Sequence, residues 1–303
     1  MKKVLIPLFF FALTTLACRY IVVPPDLIAT PTPTASKGWY GLVTNISKSD
    51  SGDLRIDLAV RNDTLDWSSM QADEGKPAVL STSEGKKTNC DAVFVGTGGV
   101  SLAPGFQIRG FTAGTKKDHK TQPLYVECKG GELTPGAKLA VDYSYVTGPY
   151  DLHVPSVPVS GKMEINLDQV AKDVKYPIAA PVPGLVEKPG DKINAINNFT
   201  LTLVDAKRTD KGLDLNWQDM NPTEYPNYVH IGIPPVVGSD GIIYGFYEDP
   251  SIADATIALQ NATAEWKTSV DVPKDAAGLY ILVSVETRQS KYFVSHVIDI
   301  TDK

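Results

Sequence analysis

Apolar residues recur at every second position in many short stretches of this chain. Two of the clearest are LRIDLAV at residues 54–60 and LDLNW at residues 213–217. A period of two places the apolar side chains on one face of a half-buried β-strand. Turn sequences rich in Gly and Asp, such as SDSGD, TDKG and GSDG, separate these stretches. Many short strands with this punctuation predict an all-β fold made of sandwiches or barrels.

The order of these features occurs twice. ISKSDSGDLRIDLAVRNDT at residues 46–64 and VDAKRTDKGLDLNWQDMNPT at residues 204–223 each contain a strand, a Gly turn, an alternating strand and an Asn with a Thr two residues later. A Pro-rich segment, YPIAAPVPGLVEKPGD, lies between the two copies. We therefore predict two tandem β-sandwich domains, at residues 38–176 and 194–303, joined by a linker at residues 177–193.

The N-terminal segment predicts export. Lys2 and Lys3 precede an apolar run that ends at Leu16 and is shorter than the roughly 20 residues needed to span a bilayer. Residues 1–17 are therefore a signal peptide. The Ala17-Cys18 junction resembles a bacterial lipoprotein signal, which implies cleavage before Cys18 and diacylglycerol on its thiol. The alternative is an ordinary secretory signal that leaves Cys18 as a free thiol, and both place the mature chain outside the cytoplasm.

A Pro- and Thr-rich stretch at residues 18–37 starts at the cysteine. Its sequence, with PPDLIATPTPTASK at its end, favours extended polyproline-like backbone and predicts a tether between a lipid anchor and the folded part. Loss of the two lysines with the signal peptide changes the formal net charge from −6 to −6 − 2 = −8. An acidic chain without a basic cluster argues against a nucleic-acid partner, so we expect membrane contact through the N-terminus only.

Three motifs punctuate the first half of the chain: Asn62-Asp63-Thr64 after an alternating strand, the Glu84-Gly85 turn, and SLAPG at residues 101–105. In these motifs the first half resembles the immunoglobulin-like (telokin-like) extracytoplasmic domains of unknown function found in bacterial lipoproteins. The resemblance implies immunoglobulin-like β-sandwiches and a binding or scaffolding role. It implies no catalytic residues.

A search for reaction chemistry gives the same expectation. The histidines are scattered, without an H-E-x-x-H motif, and no G-x-S-x-G elbow occurs. The acidic residues of YEDPSIADAT lack the spacing of a calcium loop. We therefore expect no cofactor, no metal and no enzymatic activity.

Aromatic residues provide the one candidate ligand-binding group: Tyr244, Phe246, Tyr247 and Trp266. Rings on a sandwich surface can stack on a sugar or grip a protein partner. The alternative is core packing, and alternation predicts that Tyr244 and Phe246 point inward while Tyr247 faces out. The favoured function is a surface-anchored, non-enzymatic binding or assembly lipoprotein that meets a protein, glycan or envelope partner. The competing one is a carbohydrate-active accessory protein or hydrolase.

Cys90 and Cys128 remain once Cys18 is assigned to the lipid. Both lie at predicted strands of the first half, in TNCDAVFV and PLYVEC, and the compartment is oxidising. We predict that they form a disulfide, which would close a loop of 128 − 90 − 1 = 37 residues and stabilise the fold by roughly 4 kcal/mol. The alternative is two buried free thiols.

Overall fold

A computed structural model of the chain describes residues 38–113, 120–147, 157–168, 186–194, 199–222, 224, 227–230, 234–245, 255–287 and 294–303. The predicted signal peptide, Cys18, the tether and residues 177–185 of the predicted linker lie outside this part. Residues 36–303 form one compact unit. The described residues contain strands and no helix, which confirms the prediction of an all-β sandwich fold.

The first half of the molecule, residues 38–168, carries ten of the described strands. They are β1 (Trp39–Lys48), β2 (Leu54–Asn62), β3 (Ser68–Ala72), β4 (Ala78–Ser81), β5 (Lys87–Phe94), β6 (Gln107–Ile108), β7 (Gly110–Ala113), β8 (Lys120–Cys128), β9 (Lys138–Thr147) and β10 (Val159–Asn166).

The second half, residues 186–303, carries the other described strands. They are β11 (Val186–Glu187), β12 (Lys192–Asn194), β13 (Thr200–Thr209), β14 (Gly212–Asn221), β15 (Asn227–His230), β16 (Val236–Val237), β17 (Ile242–Tyr244), β18 (Ala255–Ala258), β19 (Ala262–Val270), β20 (Tyr280–Thr287) and β21 (Val294–Asp299).

Two sheets make the first sandwich. One sheet contains β1, β2, β8 and β5, and the other contains β10, β9, β3 and β4. Strand β5 belongs to both, because Cys90 lies opposite Ala78 of β4 and the next residue, Asp91, lies opposite Glu127 of β8. Cys90 is bonded to Cys128 with their Cα atoms 4.2 Å apart. The predicted disulfide is confirmed, and it fixes the point where β5 passes from one sheet to the other.

The second half contains a four-stranded sheet in the order β12, β13, β14 and β19. It packs on a central sheet made of β17, β16, β20, β21 and β11. Leu215 and Trp217 of the four-stranded sheet share a core with Ile281 and Val283 of the central sheet. The inward position of Trp217 follows from its place in the alternating stripe.

The central sheet is buried on both of its faces. Leu282 and Val297, which alternate with the residues facing the second core, belong to the core of the first half. Strand β17 also pairs in parallel with β7 of the first half, with Ile243 opposite Phe111. Such strands have continuous apolar runs because neither face meets water. The two halves thus share packing. Strand β11 lies within the predicted linker and β12 begins there. The division into two domains stays a prediction.

The internal repeat has a structural counterpart. The register of β1 against β2 shifts between Val43 and Asn45, and that of β13 against β14 shifts between Leu203 and Asp205. Beside these bulges, Val43 lies opposite Leu58 and Leu203 lies opposite Trp217. Leu58 is therefore the counterpart of Trp217. Two and four residues further on, Val60 corresponds to Asp219 and Asn62 to Asn221.

The repeated Asn has a structural role in the first half. Asn62 is completely buried. Its Nδ2 donates to the carbonyls of Asp66 and Leu102 at 2.9 and 2.8 Å, and its Oδ1 accepts from the backbone N–H of Thr64 at 3.0 Å. The Asn-x-Thr pattern therefore marks a side-chain-stabilised turn that ends the alternating strand.

Candidate functional site

Two indole rings stack inside the second sandwich. Trp217 and Trp266 lie opposite each other on β14 and β19, with ring centroids 5.4 Å apart and an interplanar angle of 13°. Trp217 is buried, and its Nε1 donates to Oγ1 of Thr268 at 2.9 Å. Trp266 is only partly buried. One ring therefore belongs to the core, while the other covers it and still meets the surface.

A carboxyl group is buried beside this stack. Asp219 has no exposed surface and lies opposite Ala264, two residues from Trp266 along β19. Among the described residues, no donor has hydrogen-bond geometry to either carboxylate oxygen, and Nε1 of Trp266 is also buried without a partner. Burial raises the pKa of Asp219, and the nearby N–H groups of Ala264 and Trp266 counter only part of that effect.

The repeat shows that packing does not require these groups. The counterpart of Asp219 is Val60, which is completely buried in the first core. The counterpart of Trp266 is Leu124, which lies opposite Leu58 as Trp266 lies opposite Trp217. A buried polar group without good hydrogen bonds costs about 1–3 kcal/mol. Buried titratable groups of this kind are concentrated at functional sites, so we take Asp219, Trp266, Trp217 and Thr268 as the candidate site.

Among the described strands, the candidate site lies at an open edge of its sheet. Strand β19 is the last strand of the four-stranded sheet and pairs with β14 along its full length. Its other face carries Thr263, Glu265, Lys267 and Ser269, all exposed. Within the described residues, neither Glu265 nor Lys267 forms a salt bridge; Glu265 only accepts a long hydrogen bond, 3.4 Å, from Nε2 of Gln218. An edge of this kind can accept another strand.

Tyr244, predicted as a binding residue, lies in the core of the second half with 3% of its surface exposed. Its hydroxyl donates to Oδ2 of Asp240 at 2.6 Å, and the pKa of Tyr244 is raised by burial and then by this carboxylate. The backbone carbonyl of Asp240 accepts from Nε of Arg109 in the first half. Tyr244 thus stabilises the turn at Asp240, which contacts Arg109 of the first half. We do not retain Tyr244 as a binding residue.

The other predicted residues divide between the described and undescribed parts. Trp266 reaches the surface and stays a candidate, whereas Phe246 and Tyr247 lie outside the described residues. Asp219 was missed because a single polar residue near a strand end does not disturb the alternation. Alignment of the two repeats against each other, position by position, would have shown an Asp where its counterpart is a Val.

Two other groups of polar side chains in the described part are held by structural contacts. Nδ1 of His296 and Oε1 of Glu187 are 2.7 Å apart and join β21 to the short edge strand β11. A surface depression lined by Arg208, Lys274 and Lys303 is basic, but Arg208 donates to the carbonyl of Pro273 and Lys274 pairs with Asp210. No group of three or more metal-ligating side chains occurs among the described residues.

Within the same residues, we find no helix with the length and apolar character of a membrane span. No protein-family model matches the chain, and no curated protein matches it.

Several solved structures are distantly similar to this chain. One is a transglutaminase of red sea bream, with a TM-score of 0.20 and 11% identity over 84% of this chain; the match spans 31% of the transglutaminase. Others are the periplasmic chaperone SfaE, with a TM-score of 0.18 and 11% identity over 86% of this chain and 98% of the chaperone, and the E. coli chaperone DraB, with a TM-score of 0.15 and 11% identity over 85% and 98%. Likenesses at this level assign neither a family nor a function.

Proposed function

We propose that this protein is a non-enzymatic binding or assembly lipoprotein of a bacterial cell envelope. Cys18 carries the lipid, the tether spaces the folded part from the membrane, and the edge of β19 around Trp266 receives the partner. The observation that supports this proposal most is the departure of the second repeat from the first. An indole and a buried carboxyl stand beside an open strand edge where the first repeat has Leu124 and Val60.

The internal packing suits a presenting role. A disulfide fixes the first sandwich, and the central sheet joins its core to that of the second half. An edge strand held on such a support changes little when a partner binds, so less conformational entropy is lost. The disulfide also fits an oxidising compartment outside the cytoplasm.

The competing function, carbohydrate-active accessory or hydrolase, would use outward-facing rings beside carboxylates in a groove. Tyr244 and Trp217 are buried, and Asp219 has no exposed surface. Of the described residues among these, only Trp266 reaches the surface, where a sugar could contact it. We therefore favour strand-edge assembly over a sugar-binding platform.

The anchor is tested by changing Cys18→Ser. This variant should lose incorporation of a fatty-acid label and leave the membrane fraction. A matched control combines Cys18→Ser with Ser36→Cys, which restores a thiol away from the junction and should restore neither property. Equal labelling of wild-type protein and the Cys18→Ser variant would refute the lipoprotein proposal.

The binding surface is tested by chemical crosslinking of membranes that contain the full chain. Trp266→Ala should remove the crosslinked complexes, because the exposed part of the stack is lost. Tyr40→Ala changes another partly exposed ring, on β1 of the first half, and should leave the complexes intact. If both variants retain them, the edge of β19 is not the binding surface.

A further inference from the structure

Strand β19 offers a long and regular edge. It runs for nine residues, Ala262–Val270, and every one of them is paired with β14 on its inner side. Among the described strands, none pairs with the edge of β19 that faces away from β14. Backbone N–H and C=O groups along such an edge can pair with another strand. The edge therefore selects an extended partner, and the side chains of β19 specify which strand fits.

The charges of β19 are complementary to a second copy of β19. In an antiparallel pair related by a two-fold axis at Trp266, Glu265 lies opposite the partner's Lys267, and Lys267 lies opposite the partner's Glu265. Both side chains are exposed on the outer face of the sheet. Opposite charges at directly facing positions stabilise a strand pair, and the symmetry provides the pair twice.

Neighbouring registers are unfavourable. Placing the axis at Glu265 or at Lys267 sets two like charges directly opposite each other, which destabilises the pair. An axis between two residues would place side chains of the exposed face opposite side chains of the core-facing side. Directly opposite residues of an antiparallel pair point to the same face, so this register is not allowed. The register centred on Trp266 is thus selected by both charge and pleat.

The indole stack points to the same register. Trp266 covers Trp217 with one ring face at 5.4 Å and is only partly buried. The register places it directly opposite the partner's Trp266 at the two-fold axis. Aromatic side chains that face each other across two strands stabilise the strand pair beyond the area that they bury.

We infer that the partner bound by the edge of β19 is a second copy of this chain, which joins two four-stranded sheets into one continuous sheet. The inference rests on the proposed assembly function and names its partner. It does not depend on the lipid anchor.

Strand β10 is the nearest competitor within the described part, because Lys162 and Glu164 alternate there in a similar way. Its midpoint is Met163, so the axis would carry no aromatic pair. Gly161 of β10 lies so close to the ring of Tyr143 that a Cβ at this position would overlap the ring. A Gly in a strand weakens pairing, so we assign the interface to β19 and use β10 as the control.

The first test measures the mass of the full chain in mild detergent by light scattering. Wild-type protein should be a dimer. Glu265→Lys and Lys267→Glu should each weaken dimerisation about tenfold or more, because each change sets like charges opposite at two symmetric places. The double variant Glu265→Lys/Lys267→Glu restores opposite charges and should dimerise again. Glu164→Lys on β10 should leave the dimer unchanged.

The second test locates the contact. A zero-length carbodiimide should link Glu265 to Lys267 between chains, and the linked peptide should be recovered from the dimer band only. A monomeric wild-type protein, a double variant that stays monomeric, or a dimer broken by Glu164→Lys would overturn the inference. A monomer that still forms Trp266-dependent crosslinks on membranes would retain the proposed assembly function with a different partner.

Discussion

The two halves of the molecule start from the same hairpin and fill its inner face differently. In the first half, the equivalent stripe of β2 holds the aliphatic residues Leu58 and Val60, which are completely buried in the first core. In the second half, the equivalent positions of β14 hold Trp217 and Asp219. The inward-facing residues of β2 are apolar, as core packing favours. Those of β14 include polar atoms, which a packed core does not require.

The neighbouring strands extend this contrast. Leu54 of β2 lies opposite Cys128 of β8, whose disulfide reinforces the first sandwich, and the equivalent Leu213 of β14 lies opposite Val270 of β19. The first half thus combines an aliphatic stripe with a covalent link. The second half has neither a fully aliphatic stripe nor a disulfide. Its polar residues lie next to the edge of β19. The covalent link and the proposed binding edge therefore lie in different copies of one structural plan.

The largest expected effect on stability comes from placing a carboxyl group at Val60, the first-half counterpart of Asp219. Val60→Asp should destabilise the protein by about 3–5 kcal/mol at pH 7, because the new carboxylate would be fully buried without a partner. Urea denaturation measures this loss. Val93→Asp, on the exposed side of β5, is the control and should change stability by less than about 0.5 kcal/mol.

A loss below about 1 kcal/mol for Val60→Asp would break the comparison. It would show that this position of the hairpin tolerates a carboxyl by local rearrangement. Asp219 would then need no functional explanation.

The sequence predicted those parts of the fold that depend on local pattern. Alternation identified β2 and β14, the repeated order identified the related hairpins, and cysteine location identified the bridge. The shared central sheet was not predictable in the same way. Apolar runs such as LYILV at residues 279–283 indicate a buried strand, but they do not reveal that one face contacts a different half of the chain.

The candidate site was predictable only in part. Trp266 stood out as an aromatic residue, but its stacking on Trp217 depends on the register of β19 against β14. Tyr244 was correctly predicted to point inward, so its ring is not available for binding. The sequence pattern does not show which inward-facing polar residue lacks a hydrogen-bond partner, because the partner comes from strands that are distant in the sequence.

A smaller, pH-dependent effect is expected for Asp219→Asn, which mimics the protonated carboxyl. The pKa of Asp219 is raised by burial, so the folded state keeps a proton that the unfolded state, with an ordinary pKa of about 3.9, has already lost. Stability of the wild-type protein therefore falls as pH rises from about 3.9 through the folded-state pKa, and the loss is complete above it. The variant should not show this fall.

Urea denaturation of both proteins at pH 3 and pH 8 measures the effect. The two should be nearly equal at pH 3, and the variant should be more stable by about 1–3 kcal/mol at pH 8. Asp210→Asn, at an exposed turn of the second half, is the matched control for a change of charge. A wild-type advantage at pH 8 would mean that the carboxylate is stabilised in the folded protein, and the contrast with Val60 would be reversed.

The smallest effect should come from Thr268→Val, which gives β19 the residue of its counterpart Val126 in β8. Thr268 accepts the hydrogen bond from Nε1 of Trp217 at 2.9 Å, and the variant would leave this N–H buried without an acceptor. The expected loss is about 1 kcal/mol in urea denaturation followed by Trp fluorescence.

The control is Ser269→Ala, which removes an exposed hydroxyl that donates to Asp214. This variant should change stability by less than about 0.5 kcal/mol. Val126→Thr in the first half should also destabilise, because no indole there can donate to the new hydroxyl. If Thr268→Val is instead neutral or stabilising, the hydrogen bond between Trp217 and Thr268 does not stabilise the second half, and Asp219 alone distinguishes the two halves.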